Sequence, residues 1–155
     1  MNIYKSEPMR HKVYLAGPFF NQEQIEVQDR VEKLAEKAKL DYFSPRLRCL
    51  CAPDASFAQR KYTFDMNVNA IELADLVIAR IDDFDPGTMW EIGYAYRSKR
   101  PVYAYTTVPG RGLNLMLAQS CKGFLCGFDE IEKFMGKDGW VDWEAAKRIH
   151  NGEII

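Results

Sequence analysis

Several features that would identify common protein classes are missing from this chain of 155 residues. It has no continuous apolar stretch near the roughly 18 to 20 residues of a membrane span, so we expect no membrane partner. Residues 1–12 carry charges but lack the apolar core of a secretory signal peptide. The net charge of −1 lacks the basic surplus typical of nucleic-acid-binding proteins, so no nucleic acid is expected as a partner.

Cysteine and histidine are scarce and poorly spaced for metal binding. The sequence contains no Cys-x-x-Cys pair, and the two histidines lie far from the four cysteines along the chain. We therefore expect no metal site, and free thiols favour a reducing, cytoplasmic location. The residues concerned are Cys49, Cys51, Cys121, Cys126, His11 and His150.

Common nucleotide-binding and hydrolase motifs are also absent. Gly17 and Pro18 follow the first apolar run where a dinucleotide-binding protein would have Gly-x-Gly-x-x-Gly. The sequence has no phosphate-binding Gly-x-x-x-x-Gly-Lys-Ser/Thr loop and no Gly-x-Ser-x-Gly turn. No cofactor is expected, and carboxylates remain as the candidate reactive groups.

Apolar runs typical of buried strands alternate with segments of helical periodicity. Alternation of this kind predicts βαβ units joined by right-handed crossovers. We predict an α/β fold with one doubly wound domain over residues 12–155, built on a parallel, flavodoxin-like sheet flanked by helices, after a short lead-in at residues 1–11. Strands are predicted at residues 12–17, 41–45, 75–81, 100–106 and 123–128, and helices at 21–40, 57–71, 88–97, 113–120, 129–135 and 143–150.

Two helices have distinctive sequence signals. Asn21 followed three residues later by Gln24 predicts a capping box at the start of the first helix. In the helix at residues 57–71, apolar side chains including Phe64 and Ile71 recur at helical spacing. This pattern predicts an apolar stripe that packs on the core.

Three loops follow predicted strands at the edge of the sheet where ligands bind in open parallel sheets. They span residues 16–22, 82–91 and 106–116. These loops contain the side chains that are hardest to explain as core packing. They are Phe19, Phe20, Asp85, Glu91, Asn114 and Met116.

Asp85 and Glu91 form a pair suited to glycosidic-bond chemistry. In a retaining mechanism, one carboxylate attacks the anomeric carbon and the other transfers a proton to and from the leaving group, across roughly 5 to 5.5 Å. Structural interpretations remain open: Thr88 with Glu91 matches a capping box, Asp85 fits an Asp-Pro-Gly turn, and Asn114 suits a helix N-cap.

The motifs "KVYLAGPFFNQEQ", "FSPR", "DPGTMWEIGYAY", "LNLM" and the tail "NGEII" resemble the nucleoside 2-deoxyribosyltransferase family over nearly the whole chain. The resemblance implies an enzyme that cleaves the N-glycosidic bond of a 2′-deoxynucleoside and transfers the 2-deoxyribosyl group to another purine or pyrimidine base. It further implies that Glu91 attacks C1′ to form a covalent intermediate. Asp85 would serve as the acid/base that contacts the nucleobase.

The resemblance also implies a set of substrate-binding residues and a homo-oligomer with shared active sites. Asn114 would bind the sugar hydroxyl from a neighbouring subunit, next to Met116 in the same motif. The carboxylate of Ile155 would complete the site. Tyr14 and Phe20 match positions near the nucleophile and the base, and Gly17 would allow close approach.

One position departs from the family pattern. Asn67 stands where many members have a sugar- or base-binding aspartate, and an amide forms hydrogen bonds but carries no charge and takes no proton. The preference for purine or pyrimidine and the balance between transfer and hydrolysis are therefore left open.

Two other functions remain as alternatives. The first is a (deoxy)nucleoside 5′-monophosphate N-glycosidase, in which Arg46 and Arg48 would bind the phosphate rather than act as solvated loop charges. The second is a non-catalytic nucleotide-binding module, since a fold alone does not determine function. For an active transferase, the default role is nucleoside salvage.

Overall fold

The computed structural model describes residues 9–147 and 154–155. Five strands are present in these residues: β1 (Lys12–Ala16), β2 (Asp41–Phe43), β3 (Leu76–Arg80), β4 (Val102–Thr106) and β5 (Gly123–Cys126). They form one sheet in the order β2-β1-β3-β4-β5, and each neighbouring pair is parallel. This flavodoxin-like order confirms the predicted α/β fold class.

Helices cover both faces of the sheet. The described helices are α1 (Gln22–Lys37), α2 (Pro45–Arg48), α3 (Phe57–Leu73), α4 (Pro86–Arg97), α5 (Leu115–Ser120) and α6 (Gly127–Met135). One hydrophobic core lies between the sheet and α1 and α6. The other lies between the opposite face of the sheet and α3, α4 and α5. In the described part of the chain, no helix combines the length and apolar character needed to cross a bilayer.

Every residue of β3 is buried, as expected for a central parallel strand. The strand order reverses between β1 and β3, because the chain leaves β1 towards β2 and returns to the other side for β3. In doubly wound sheets, ligands bind outside the carboxyl ends of the strands at such a reversal. The loops after β1 and β3 therefore meet where a binding site is expected.

The start of α4 corrects one local prediction. The N-cap is Asp85, whose side chain accepts a hydrogen bond from the Thr88 backbone N–H, and Pro86 is the first helical residue. A capping box with Thr88 as the N-cap and Glu91 as its partner is therefore wrong. Glu91 lies in the second turn, beyond the free backbone N–H groups at the helix start.

Most of the apolar stripe predicted on α3 does not pack on the core, which only its C-terminal end reaches. Ile71 is buried, but Phe57 is 83% exposed and Phe64 is 50% exposed. Periodicity showed that these side chains share a helix face, but did not show what covers that face. The stripe is thus an apolar surface.

Two helix ends also differ from the predictions. Asn21 caps α1 by accepting a hydrogen bond from the Gln24 N–H at 2.9 Å, but the Gln24 side chain accepts from the Phe20 N–H, so half of the expected capping box forms. Within the helix predicted at residues 143–150, only a 3₁₀ turn at Trp143–Ala145 is helical in the described part; residues 148–150 lie outside the described residues, as do residues 1–8 of the predicted lead-in.

Candidate active site

Glu91 presents a buried carboxylate oxygen on the second turn of α4. Within the described residues, Oε2 is inaccessible to solvent and has no hydrogen-bond partner. Burial raises the pKa of Glu91, a hydrogen bond with Tyr14 lowers it in part, and the charge of Asp85 raises it again, so that the resulting pKa is about 7. The carboxyl group therefore changes charge near neutral pH, which is a property of catalytic acids, bases and nucleophiles.

Tyr14 places its hydroxyl near Glu91 from the centre of β1. Its side chain is fully buried and its ring stacks on Phe43 with a centroid separation of 5.5 Å. Burial, with the nearby Glu91, raises the pKa of Tyr14 well above its usual range, so the phenol stays protonated. The hydroxyl forms no hydrogen bond of ideal geometry in the described part of the chain, and is free to donate to Glu91 or to a ligand.

Asp85, the predicted acid/base, is also the N-cap of α4. Its Oδ2 accepts from Thr88 N at 2.8 Å and from Thr88 Oγ1 at 2.9 Å. Among the described residues, the Asp85 side chain forms these two hydrogen bonds, and both use Oδ2. The other oxygen, Oδ1, can therefore contact a ligand without breaking the cap.

Asn67 lies on α3 one turn before the buried Ile71 and is itself half-buried. Its Oδ1 is inaccessible to solvent and lacks a hydrogen-bond partner within the described residues. A buried amide oxygen without a partner costs on the order of 1 to 3 kcal/mol. The amide oxygen of Asn67 is thus buried and is an unused acceptor.

A cavity of about 530 Å³ lies between residues 48–55 and α3, and its walls include Cys49, Tyr62 and Met66. Cys49 Sγ approaches Met66 Sδ to 2.8 Å. Cys49 also contributes to the raised pKa of Tyr14, which puts this cavity wall close to the Tyr14 hydroxyl. Sequence reasoning missed these residues because the segment after Pro45 has no regular period, so nothing in it indicated a cavity wall.

A second cavity, of about 820 Å³, brings together three of the predicted substrate-binding residues: Asn114, Met116 and Ile155. Asn114 caps α5 by accepting a hydrogen bond from Met116 N at 2.9 Å, which confirms its structural interpretation. Ile155 is held by a hydrogen bond from its N–H to the oxygen of Leu113 at 3.1 Å. Glu91 does not line this cavity, so the predicted site residues fall into two groups on one chain.

Gly17 and Phe20 follow β1 in the loop predicted to approach the substrate. A Cβ at Gly17 would lie 2.6 Å from Oε1 at the end of the Gln28 side chain, so α1 packs closely on this glycine and a larger residue would require Gln28 to shift. Phe20 is 78% exposed and stacks on Phe19. Its ring is accessible, but no described side chain holds it against Glu91.

The two arginines considered as phosphate ligands lie in different surroundings. Arg46 donates to Glu32 through Nε at 3.1 Å and through Nη2, and it also pairs with Asp29 at 3.4 Å. The prediction of a solvated loop charge is therefore wrong for Arg46, whose guanidinium is already neutralised. Arg48 is exposed at the cavity that contains Cys49.

Across residues 9–147 and 154–155, no group of three or more histidine, cysteine, aspartate or glutamate side chains could hold a metal ion. The four cysteines are free thiols. The candidate reactive groups in the described part are carboxylates, with the Tyr14 phenol as a hydrogen-bond donor.

Comparison with known proteins assigns the chain to a family. The sequence profile of the family described as nucleoside 2-deoxyribosyltransferase matches residues 13–123, which include Tyr14, Asp85 and Glu91. The chain belongs to the nucleoside 2-deoxyribosyltransferase family. This is a family of glycosyl-transferring enzymes.

Solved structures agree with this assignment. A 2-deoxyribosyltransferase from the psychrotolerant bacterium Bacillus psychrosaccharolyticus is 29% identical with a TM-score of 0.74, and the match covers 84% of this chain and 99% of that chain. A conserved protein from Enterococcus faecalis V583 is 22% identical with a TM-score of 0.57, over 88% of this chain and 84% of that chain.

The Clostridium botulinum CMP N-glycosidase BcmB is 16% identical with a TM-score of 0.51, over 80% of this chain and 95% of that chain. At this identity, as at 22%, the likeness shows a shared fold. The search of curated proteins found no significant match.

Proposed function

We propose that this protein is a nucleoside 2-deoxyribosyltransferase that works by double displacement, without a cofactor, on 2′-deoxynucleosides and free nucleobases. The observation that carries the proposal is the state of Glu91 in a chain of this family. Its Oε2 is buried without a partner in the described residues, and its pKa of about 7 lies near the pH at which it must work.

In the first half-reaction, a Glu91 oxygen forms a bond to C1′ as the bond between C1′ and the base nitrogen breaks. The electron pair of that bond passes to the base, and Asp85 supplies the proton that neutralises it. In the second half-reaction, Asp85 removes a proton from the incoming base, whose nitrogen attacks C1′ and releases Glu91. Two inversions give net retention at C1′.

Tyr14 supports both states of Glu91 in this mechanism. Its buried hydroxyl lowers the pKa of Glu91, which means that it stabilises the ionised form needed for attack. After the glycosyl bond forms, Glu91 is uncharged, and the same hydroxyl is available to a sugar oxygen. Tyr14 therefore acts by hydrogen bonding, with its own proton retained throughout.

We further propose a homo-oligomer in which Asn114, Met116 and the carboxylate of Ile155 complete the site of a neighbouring subunit. Two observations support it. These residues share a cavity from which Glu91 is absent, and the surfaces of α3 and α4 expose Phe64 and Trp90, which lie 5.3 Å apart between ring centroids. Apolar surface of this kind is typical of protein–protein contacts.

The ion pairs formed by Arg46 support an unphosphorylated nucleoside, rather than a 5′-monophosphate, as the substrate. Its guanidinium is engaged by Glu32 and Asp29, so binding a phosphate there would require breaking these ion pairs.

The amide of Asn67 replaces a charged group of the family, and we propose that it sets the share of the glycosyl intermediate that reacts with water.

The decisive experiment incubates the purified protein with thymidine and adenine and follows deoxyadenosine and thymine by chromatography. If the protein is a transferase, the wild type should form deoxyadenosine and thymine in equal amounts, and Glu91→Gln should form neither. Both proteins are assayed at a temperature at which they are folded. Intact-protein mass spectrometry after quenching in acid should detect the deoxyribosyl adduct on the wild type and none on Glu91→Gln.

Other outcomes would support the other candidates. Thymine without deoxyadenosine would make the protein a hydrolase, and base release from monophosphates alone would indicate the nucleotide N-glycosidase. A protein that binds nucleosides and releases no base, with the same result for Glu91→Gln, would be a binding module.

A further inference from the structure

Arg80 is a buried cation on the face of the sheet opposite to Glu91. It is the last residue of β3, and its side chain is 3% exposed on the side covered by α1. Three carboxylates surround it: Nη2 lies 2.7 Å from Glu23, Nε lies 3.2 Å from Asp82, and Nη1 lies 3.7 Å from Asp83. A single buried charge thus links the first turn of α1 to the loop that follows β3.

Asp82 extends this link to the loop after β4. It accepts hydrogen bonds from Thr107 N at 3.0 Å and Thr107 Oγ1 at 2.6 Å, and a further one from the Thr106 hydroxyl. These bonds, with the one from Arg80, hold the pKa of Asp82 below its usual range although burial acts in the opposite direction. Asp82 therefore remains ionised and keeps both loops attached.

Asp83 extends the link to the loop after β1. Gln24 Nε2 donates to Asp83 at 3.1 Å, and Gln24 Oε1 accepts from the Phe20 N–H at 2.8 Å. Through Arg80 and its carboxylates, the three loops at the carboxyl edge of the sheet are connected in one network. These loops carry Phe20, Asp85 and Asn114.

Between Asp83 and Asp85 the chain crosses from the α1 side of the sheet to α4. The residue at the crossing, Phe84, has a φ of +46°, which is uncommon for a bulky side chain and is sustained only where the surroundings enforce it. The guanidinium of Arg111 lies 4.8 Å from the centre of the Phe84 ring. The Arg80 network thus holds one end of this crossing. At the other end, Asp85 is the N-cap with which α4 begins.

We propose that Arg80 is a positioning residue for the two carboxylates: by holding Asp82 and Asp83, it sets where Asp85 and the Glu91-bearing helix begin. This inference rests on the proposed function for its catalytic consequence. Without the guanidinium, the buried carboxylate of Asp82 would lose its cation, and the more exposed carboxylates of Glu23 and Asp83 would lie near it as like charges. The loop after β3 would then separate from α1 and from the loop after β4, and α4 would start from a less defined position.

The test compares Arg80→Lys with Ile78→Val, a core change two residues earlier on the same strand and the same face that removes no polar group. Lysine keeps the positive charge but loses the fork that reaches three partners. We expect Arg80→Lys to lower kcat for transfer by about tenfold or more with little change in KM, because small misplacements of reacting groups are costly. Ile78→Val should melt at a lower temperature and keep kcat within about twofold.

Hydrogen–deuterium exchange gives a second measurement that does not depend on activity. In Arg80→Lys, residues 17–24, 81–85 and 106–109 should exchange faster while the central strands stay protected. If Arg80→Lys does not fold, Thr107→Val and Thr107→Ser replace it, since serine keeps the hydroxyl donor to Asp82 and valine removes it. We then expect a lower kcat and faster loop exchange for valine, with recovery for serine.

Unchanged kcat and unchanged loop exchange in these variants would overturn the positioning role. Faster loop exchange with an unchanged kcat would also overturn it, because the network would then be purely structural. If the wild type transfers no base, the proposed function fails, while the exchange experiment still decides whether Arg80 holds the three loops together.

Discussion

The hydroxyl of Tyr14, from β1, and the carboxyl of Glu91, from α4, are buried neighbours, and each group shifts the pKa of the other. Tyr14 lowers the pKa of Glu91, and Glu91 raises that of Tyr14. The nearby phenol therefore favours the charged form of a carboxylate that burial alone would keep protonated. The relationship has measurable consequences for both activity and stability.

Replacing Tyr14 with phenylalanine should move the acid limb of kcat/KM to higher pH. The limb reports ionisation of Glu91 in the free enzyme, with a midpoint near its pKa of about 7. The substitution removes the interaction that lowers this pKa, so the midpoint should rise. Phe43→Leu, which changes the ring stacked on Tyr14 and no polar group, is the control and should leave the midpoint in place. An unchanged midpoint in Tyr14→Phe would show that the limb belongs to another group.

Glu91→Gln should make stability less dependent on pH. The folded pKa of Glu91, about 7, lies above its ordinary value of 4.5, so the wild type loses stability as pH rises from about 4.5 to about 7 and regains none above it. At 1.36 kcal/mol per pKa unit, the loss is on the order of 3 kcal/mol. The melting temperature of the variant relative to wild type should therefore be higher at pH 8 than at pH 5. A constant difference would contradict the raised pKa.

Asp85→Asn should separate the two functions of Asp85. Asparagine caps helices about as well as aspartate, so the free energy of unfolding should change little. Loss of the acid/base group should lower kcat by about 10²- to 10⁴-fold. Asp85→Ala should lower kcat similarly and also cost about 1 kcal/mol of stability through loss of the cap. Near-normal kcat in Asp85→Asn, measured with the thymidine and adenine assay, would assign the proton transfer elsewhere.

Shared active sites predict complementation between two inactive variants. Glu91→Gln lacks the nucleophile, and Asn114→Ala lacks the group proposed to reach the neighbouring subunit. Mixed oligomers formed by refolding the two together should contain some sites with an intact Glu91 and an intact Asn114, so transfer activity should return. Each variant refolded alone is the control. Mixed oligomers, verified by mass spectrometry, that remain inactive would show that both residues act within one chain.

Arg46→Met should weaken the fold without changing substrate discrimination. The substitution leaves Glu32 buried with Ser44 as its remaining partner, at 2.6 Å, and an unpaired buried charge is costly. We expect a loss of about 3 to 5 kcal/mol of unfolding free energy by urea denaturation. The ratio of turnover on thymidine to turnover on its 5′-monophosphate should stay the same. A specific loss of monophosphate turnover would instead make Arg46 a phosphate ligand.

Much of the framework could be predicted from local pattern. Continuous apolar runs predicted β1, β3 and β4, and their alternation with helices predicted a parallel sheet whose carboxyl edge carries the loops with Asp85 and Asn114. Such inferences succeed because burial on both faces of a parallel strand leaves an apolar run in sequence. The choice between caps was harder, since Thr88 and Asp85 both satisfy the residue preferences of an N-cap.

Sequence by itself determined the fold class, the edge of the sheet where a site would form, and the pair of carboxylates worth testing, because these depend on periodicity and chain order. Only the tertiary structure decided that Asp85 caps α4, that Glu91 meets Tyr14 in a buried space, and that Arg46 is occupied by Glu32. It also decided that the apolar face of α3 is exposed. Each depends on the distance between groups far apart in sequence, and on the solvent excluded between them, which local periodicity does not contain.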